Sequence, residues 1–206
     1  MTLQKVRLIQ PYLLRDKVRI FFLVQIYVDD IIFESSNELL CKEFSKNMQN
    51  EFEMSMMGEL TFFLGLQVKQ TKASTFICQE KYAKEIVKKF GLQNCKKIDI
   101  PMSRTSKLDK DENGKKVDQK VYRSMIESLL YLTVSRLDIL FSVCMCARFQ
   151  TDPRESHLSV VKRIIKYIRT YPMLGIWYSK ESDFTLTGYF NADLAGCKVD
   201  RNMSTT

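Results

Sequence analysis

Two adjacent carboxylates, Asp29 and Asp30, lie between two apolar runs and are the residues of this chain best placed to do chemistry. Residues Arg19 to Phe33 read R-I-F-F-L-V-Q-I-Y-V-D-D-I-I-F, β-branched and aromatic on both sides of the acidic pair. An uncompensated charge between such strands is costly, and two neighbouring carboxylates also repel each other. A divalent cation relieves both problems, and carboxylate oxygens suit Mg2+. In nucleotidyl transfer, two such ions activate an attacking 3′-hydroxyl and stabilise the departing pyrophosphate. An ordinary surface turn also uses aspartates, so the pair takes its meaning from what surrounds it.

The elements that would position the pair can be read from periodicity. The apolar runs predict two strands joined by a tight turn, with Asp29-Asp30 at the tip. Leu40, Phe44 and Met48 are spaced for a helix over Asn37–Phe52, started by Ser36 or Asn37. A loop carrying Gly58 covers Met54–Leu60. Strands are expected at Phe62–Lys69 and Thr75–Cys78, and a second helix over Glu80–Phe90 with Gly91 as its stop. Lys96–Gln119, with Pro101, Gly114 and many charges, reads as an exposed linker and the place where disorder would concentrate. Tyr122–Phe149 should be mainly helix, interrupted near Asp138. Ser156–Thr170 should be an amphipathic helix, capped by Ser156 or Glu155, with Leu158, Val161, Ile165 and Ile168 inward. Strands follow at Leu174–Tyr178 and Phe184–Phe190. This order is an α+β arrangement without internal repeats.

Composition sets the outer limits. The 206 residues, 45% hydrophobic and 27% charged, are enough for a buried core. No apolar run reaches the roughly 18 to 20 residues of a membrane span, and the start of the chain does not read as a signal peptide. An intracellular setting, cytoplasm or nucleus, is therefore expected. Net charge is +8, from 32 Lys plus Arg against 24 Asp plus Glu. Lys81–Lys120 holds 12 basic and 6 acidic residues, and Arg154–Arg169 holds 5 and 1. Clustered excess of this kind favours a polyanionic partner. The six cysteines form no C-x-x-C pair and the single histidine is His157, so a structural zinc site finds no support. Cys144 and Cys146, inside an apolar segment, read as buried thiols. His157 has no neighbours that complete a catalytic site and reads as a structural or surface histidine.

The flanks of the acidic pair resemble a known family. Y-V-D-D-I-I-F resembles the active-site hairpin of reverse transcriptases. Further segments resemble Ty1/copia-type retrotransposon polymerases in the same order. They are Phe52 to Leu60, Phe63-Leu64-Gly65-Leu66-Gln67-Val68, Gln79-Glu80-Lys81-Tyr82-Ala83 and Tyr122-Arg123-Ser124-Met125-Ile126, followed by Ser128-Leu129-Leu130-Tyr131-Leu132, Ser135-Arg136 and Ser156-His157-Leu158. Gly188-Tyr189-Phe190-Asn191-Ala192-Asp193 resembles the first strand of the downstream RNase H domain. Many short motifs in one order are more specific than Y-V-D-D alone.

The resemblance implies a division of the chain and roles within it. Residues 1–20 match poorly; 21–95 would be a partial palm with an antiparallel active-site hairpin and a primer-grip hairpin. Residues 96–120 would be the linker, 121–182 thumb and connection helices, and 183–206 the start of an RNase H-like domain. Asp29 and Asp30 would be two of the palm carboxylates that hold catalytic Mg2+. Tyr27 and Val28 would lie beneath the primer terminus and incoming nucleotide, and Phe63, Leu64, Gly65 and Leu66 would form the primer grip. Gly65 suits close approach of a phosphate backbone, or a bend without a ligand. Lys162, Arg163, Lys166 and Arg169 are candidates to face a duplex, or a solvated helix face. The implied partners are an RNA/DNA template–primer duplex and a dNTP, with no membrane.

The chain also departs from the family pattern. The first palm carboxylate of the family lies far upstream of Y-V-D-D, and only 26 residues precede Tyr27. Asn191 stands where the first RNase H aspartate is expected, leaving Asp193; an amide does not replace a carboxylate as a metal ligand of the same charge. Glu127 stands in place of a glycine, Leu137 in place of a proline and Leu194 in place of an aromatic. The expectation is a polymerase fragment inactive by itself, with metal binding weak or absent, complemented by a missing polymerase portion. The alternatives are a non-catalytic nucleic-acid-binding remnant and a non-functional product of a degenerate element.

Overall fold

A computed structural model describes residues 20–103 and 108–181. The expected strand Phe184–Phe190 and the residues Asn191 and Asp193 lie outside this range. The chain divides into two compact units at Leu60/Thr61, within the 21–95 segment expected as one partial palm.

In the first unit, β1 (Phe22–Tyr27) and β2 (Asp30–Ser35) form an antiparallel hairpin, in register from Phe22↔Ser35 to Tyr27↔Asp30. Cross-strand partners share a face, so Phe22, Val24 and Phe33 lie together. Helix α1 (Glu38–Glu51) covers that face, with the Phe44 ring 5.3 Å from Phe22 and 5.0 Å from Phe33. Of the two expected caps, Asn37 does the work: its side chain accepts the Leu39 N–H at 3.0 Å. The Ser36 hydroxyl instead accepts the Phe21 N–H at 3.2 Å. No described residue of this unit is fully buried.

The second unit holds the core. Its sheet has the order β3-β4-β5-β6, all antiparallel: Phe62–Phe63, Leu66–Gln70, Ser74–Cys78 and Gly175–Ser179. The expected strand Phe62–Lys69 is therefore two strands, folded back on themselves at Leu64-Gly65. Helix α2 (Glu80–Lys89) ends as Gly91 predicts. Gly91 adopts φ 68°, and the Leu92 N–H reaches the Val87 carbonyl at 3.0 Å, satisfying a terminal helical acceptor.

Helices α3 (Gln119–Leu132) and α4 (Leu137–Ala147) are separated at Thr133–Arg136, close to the expected interruption. Helix α5 (Glu155–Thr170) is the most deeply embedded: Val161, Ile164, Ile165 and Ile168 are fully enclosed. They pack with Ile126, Leu129 and Leu132 of α3 and with Ile139 and Val143 of α4 in one hydrophobic cluster. Its N-cap is Arg154 rather than Ser156 or Glu155. Cys146 is buried, and burial pushes its thiol up to about 12, out of the reactive range. Cys144 is exposed, contrary to expectation.

The described residues of the 96–120 stretch are mostly exposed, yet several of them are anchored to the core. Leu108 is buried in the main cluster, and Met102 and Val117 pack against it. The Ile98 N–H donates to the Thr170 hydroxyl at 3.0 Å, and the Glu155 N–H to the Lys115 carbonyl at 2.9 Å. His157 explains much of this anchoring. Its ring is buried and stacked on Phe149 at 4.0 Å, Nδ1 accepts the Arg154 N–H, and Nε2 meets the Asp109 carbonyl at 2.7 Å. Of the two readings, structural or surface, it is structural, and it also ties down residues that composition alone would leave loose.

Candidate functional site

The acidic pair sits at the tip of the β1–β2 hairpin. Val28 and Asp29 are the two turn residues, and Asp30 opens β2 opposite Tyr27. Tyr27 and Asp30 share the face turned away from α1. Both carboxylates are exposed.

The turn itself is unusual. Val28 has φ 51° while its side chain is 80% exposed. A left-handed first turn position matches strand twist in two-residue hairpins but normally takes glycine. For a β-branched residue it is an outlier that costs about 1–3 kcal/mol. Such strain persists where the surrounding structure demands a particular presentation. Here the flanking ladder from Phe22 to Ser35 imposes it.

As donors, two exposed carboxylate groups fit a hard cation such as Mg2+. The donor number does not complete a site: among the described residues no group of three or more His, Cys, Asp or Glu side chains could hold a metal ion. The two aspartates would supply part of a coordination shell.

The second sequence-predicted constellation, Phe63-Leu64-Gly65-Leu66, is the β3–β4 turn in the other unit. Leu64 (φ 48°) and Gly65 (φ 80°) both adopt left-handed backbone, the signature of a type I′ hairpin turn. Gly65 is needed for a second reason. A Cβ at this position would collide with the Tyr131 hydroxyl. That hydroxyl donates to the Leu64 carbonyl at 2.6 Å. The close approach that Gly65 permits is thus made by a side chain of α3. Beside the turn lies a groove of about 440 Å³ lined by Phe62, Gly65, Lys81, Tyr82, Glu85 and Tyr131.

Most of the other motif residues serve the fold. The buried Gln79 accepts the Ser135 hydroxyl at 2.8 Å, joining the start of α2 to the α3–α4 connection. Tyr82 packs edge-on against Tyr131 at 4.8 Å. The Tyr122 hydroxyl donates to the Cys146 carbonyl at 2.8 Å, and burial raises its pKa. Arg136, whose side chain is 1% exposed, forks onto Asp138 at 2.9 and 2.8 Å and donates to the Tyr171 carbonyl at 2.9 Å. Burial works to raise the Asp138 pKa. The hydrogen bonds and charge of Arg136, helped by Tyr167, outweigh it and hold the carboxyl below its ordinary value. Arg169 donates to the Cys95 carbonyl and is a fold contact. Lys81, Lys84 and Lys88 share the outer, exposed side of α2.

Comparison with known proteins bears on the ancestry. A family model described as reverse transcriptase (RNA-dependent DNA polymerase) matches residues 5–104, which include both turns. A Retrovirus-related Pol polyprotein from transposon RE1 of Arabidopsis thaliana is 31% identical over 186 residues, 90% of this chain. This chain is similar to copia-type reverse transcriptases along most of its length. The Retrovirus-related Pol polyprotein from transposon TNT 1-94 of Nicotiana tabacum is 29% identical over 90% of the chain. The Uncharacterized mitochondrial protein AtMg00810 of Arabidopsis thaliana is 29% identical over 87% of this chain and 75% of its own length. The chain spans only 13% of the RE1 polyprotein and 14% of the TNT 1-94 polyprotein. No solved structure matches it. No helix among the described residues is long and apolar enough to cross a membrane.

Sequence reasoning missed the role of Tyr131 and the depth of Arg136. Both lie within the motifs Ser128–Leu132 and Ser135-Arg136, and a polar side chain amid apolar positions is the signal available for each.

Proposed function

We propose that this chain carries the acidic hairpin and the primer-grip hairpin of an RNA-directed DNA polymerase. Asp29 and Asp30 would hold Mg2+ together with a further donor, and the metal would supply charge neutralisation at the reacting phosphate. Tyr27 and the exposed Val28 would support the primer terminus and the incoming dNTP, and Phe63 to Leu66 would hold the primer strand. The lysines on the outer side of α2 would meet phosphates of the template–primer duplex. The observation that carries this reading is the Val28 turn: a strained, two-residue loop that offers adjacent carboxylates to solvent.

We further propose that these 206 residues do not extend a primer by themselves. Two carboxylates are part of a metal site, and the hairpin that bears them has no fully buried residue to hold it firm. Affinity for metal should therefore be weak. Mn2+ titration followed by NMR tests the metal-binding role. Selective broadening of the Val28–Asp30 amides, lost in Asp29→Asn/Asp30→Asn, is expected. Broadening that persists in the double variant would show that the ion binds elsewhere. Anisotropy of a labelled RNA/DNA hybrid tests the grip. Binding should weaken about tenfold or more between 50 and 200 mM salt, and absence of binding would contradict the reading.

A further inference from the structure

The β3–β4 turn is held from outside by one hydroxyl. Its two central residues are both left-handed, a conformation that costs a non-glycine residue such as Leu64 free energy. β3 has only two residues, so the ladder on that side is too short to fix the turn. Tyr131 supplies what the ladder lacks. Its hydroxyl donates to the Leu64 carbonyl, the peptide oxygen at the apex. The same hydroxyl fills the space where a side chain at position 65 would stand. Tyr131 is itself fixed: it sits on α3, whose Leu129 and Leu132 are fully buried, and its ring packs edge-on against Tyr82. The Tyr82 hydroxyl in turn donates to the Ser128 carbonyl one turn back on α3, at 3.3 Å.

We infer that Tyr131 is a positioning residue for the primer grip: a latch by which α3 sets the aim of the Leu64–Gly65 peptide. The inference rests on the proposed role of this turn in holding a primer strand. Tyr131 acts through the turn, which is the part that meets nucleic acid. Its hydrogen bond fixes which way the Leu64 carbonyl points, and so which way the following Gly65 N–H is free to point. A backbone N–H beside a glycine is a natural phosphate contact. Leaving a hydroxyl on α3 to choose its direction couples the helix to the grip.

Tyr131→Phe keeps the ring and its packing against Tyr82 and removes only the latch. Amide hydrogen exchange and hybrid binding are read on the same chain. The expected result is exchange at Leu66, which pairs with Phe63 across the turn, at least about threefold faster, with α3 amides unchanged. Affinity for a labelled RNA/DNA hybrid should fall about three- to tenfold, the range of one lost hydrogen bond. A double-mutant cycle with Gly65→Ala adds a readout specific to the contact. The alanine methyl displaces the hydroxyl in the wild type but meets only the ring edge in Tyr131→Phe. The two losses should therefore be less than additive. Strict additivity, or unchanged exchange at the turn, would overturn the latch. Faster exchange with unchanged hybrid affinity would overturn its role in positioning the grip. Failure of the wild-type chain to bind any hybrid would instead sink the primer-grip reading, and this inference with it.

Discussion

Arg136 is the residue on which the second unit leans most. Its guanidinium is almost wholly removed from water yet has a carboxylate, a carbonyl and the Tyr167 ring around it. Breaking a fully buried pair by removing one partner costs about 3–5 kcal/mol; the Asp138 carboxylate left behind is 32% exposed and partly rehydrated, so the cost here lies at or below the lower end of that range. Arg136→Ala should lower stability by about 2–3 kcal/mol, measured by urea unfolding. The pair also sets an acid limit. The folded Asp138 carboxyl lies below its ordinary value of about 3.9. Its contribution is therefore complete above that value and is lost as pH falls through it toward the folded one. Below about pH 4 the wild type should lose stability faster than Asp138→Asn, which has already lost the charge. Parallel acid-unfolding curves would contradict this assignment.

At the scale of elements, the α3–α4 break offers a sharp test. Leu137 is the first residue of α4 and is 62% exposed. Proline suits a first helical position, whose N–H has no intrahelical partner. The preceding residue, Arg136, has φ −118° and ψ 72°, outside the α region that a following proline forbids. Leu137→Pro should raise stability by about 0.4–1 kcal/mol, seen as a melting temperature roughly 1–4 °C higher. A fall would mean that the Leu137 side chain or N–H does more than the structure shows.

The helices were legible because apolar spacing, Asn37 and Gly91 are local signals. The hairpin at Asp29-Asp30 was legible because both flanks are β-branched and aromatic. Three things were not. The Leu64-Gly65 turn lies inside an apolar run, so periodicity merged two strands into one. The anchoring of residues 96–103 and 108–120 comes from Leu108, His157 and Thr170, contacts distant in sequence that no local pattern contains. The Arg154 cap depends on the ring nitrogen of His157 accepting a backbone N–H, and arginine is not a cap-forming type.

Across the whole molecule, stability and chemistry fall in different places. Every fully buried residue among those described lies in the second unit, from Ser74 onward. The carboxylates lie on the first, a two-stranded hairpin and one helix, an assembly of marginal stability by itself. Hydrogen exchange should therefore divide the chain: amides of α3, α4 and α5 exchange only through global unfolding, and those of β1, β2 and α1 through local opening. Equal protection in both units would refute this division.

The same separation bears on activity. A polymerase site needs its carboxylates held to a fraction of an ångström, and this chain presents two of them on its least supported element. Primer extension by the purified 206-residue chain, on an RNA template with a DNA primer, dNTPs and Mg2+, tests that conclusion most directly. No extension is expected. Extension by the wild type that disappears in Asp29→Asn and Asp30→Asn would contradict it, and would mean that the hairpin finds its remaining metal ligand within these residues.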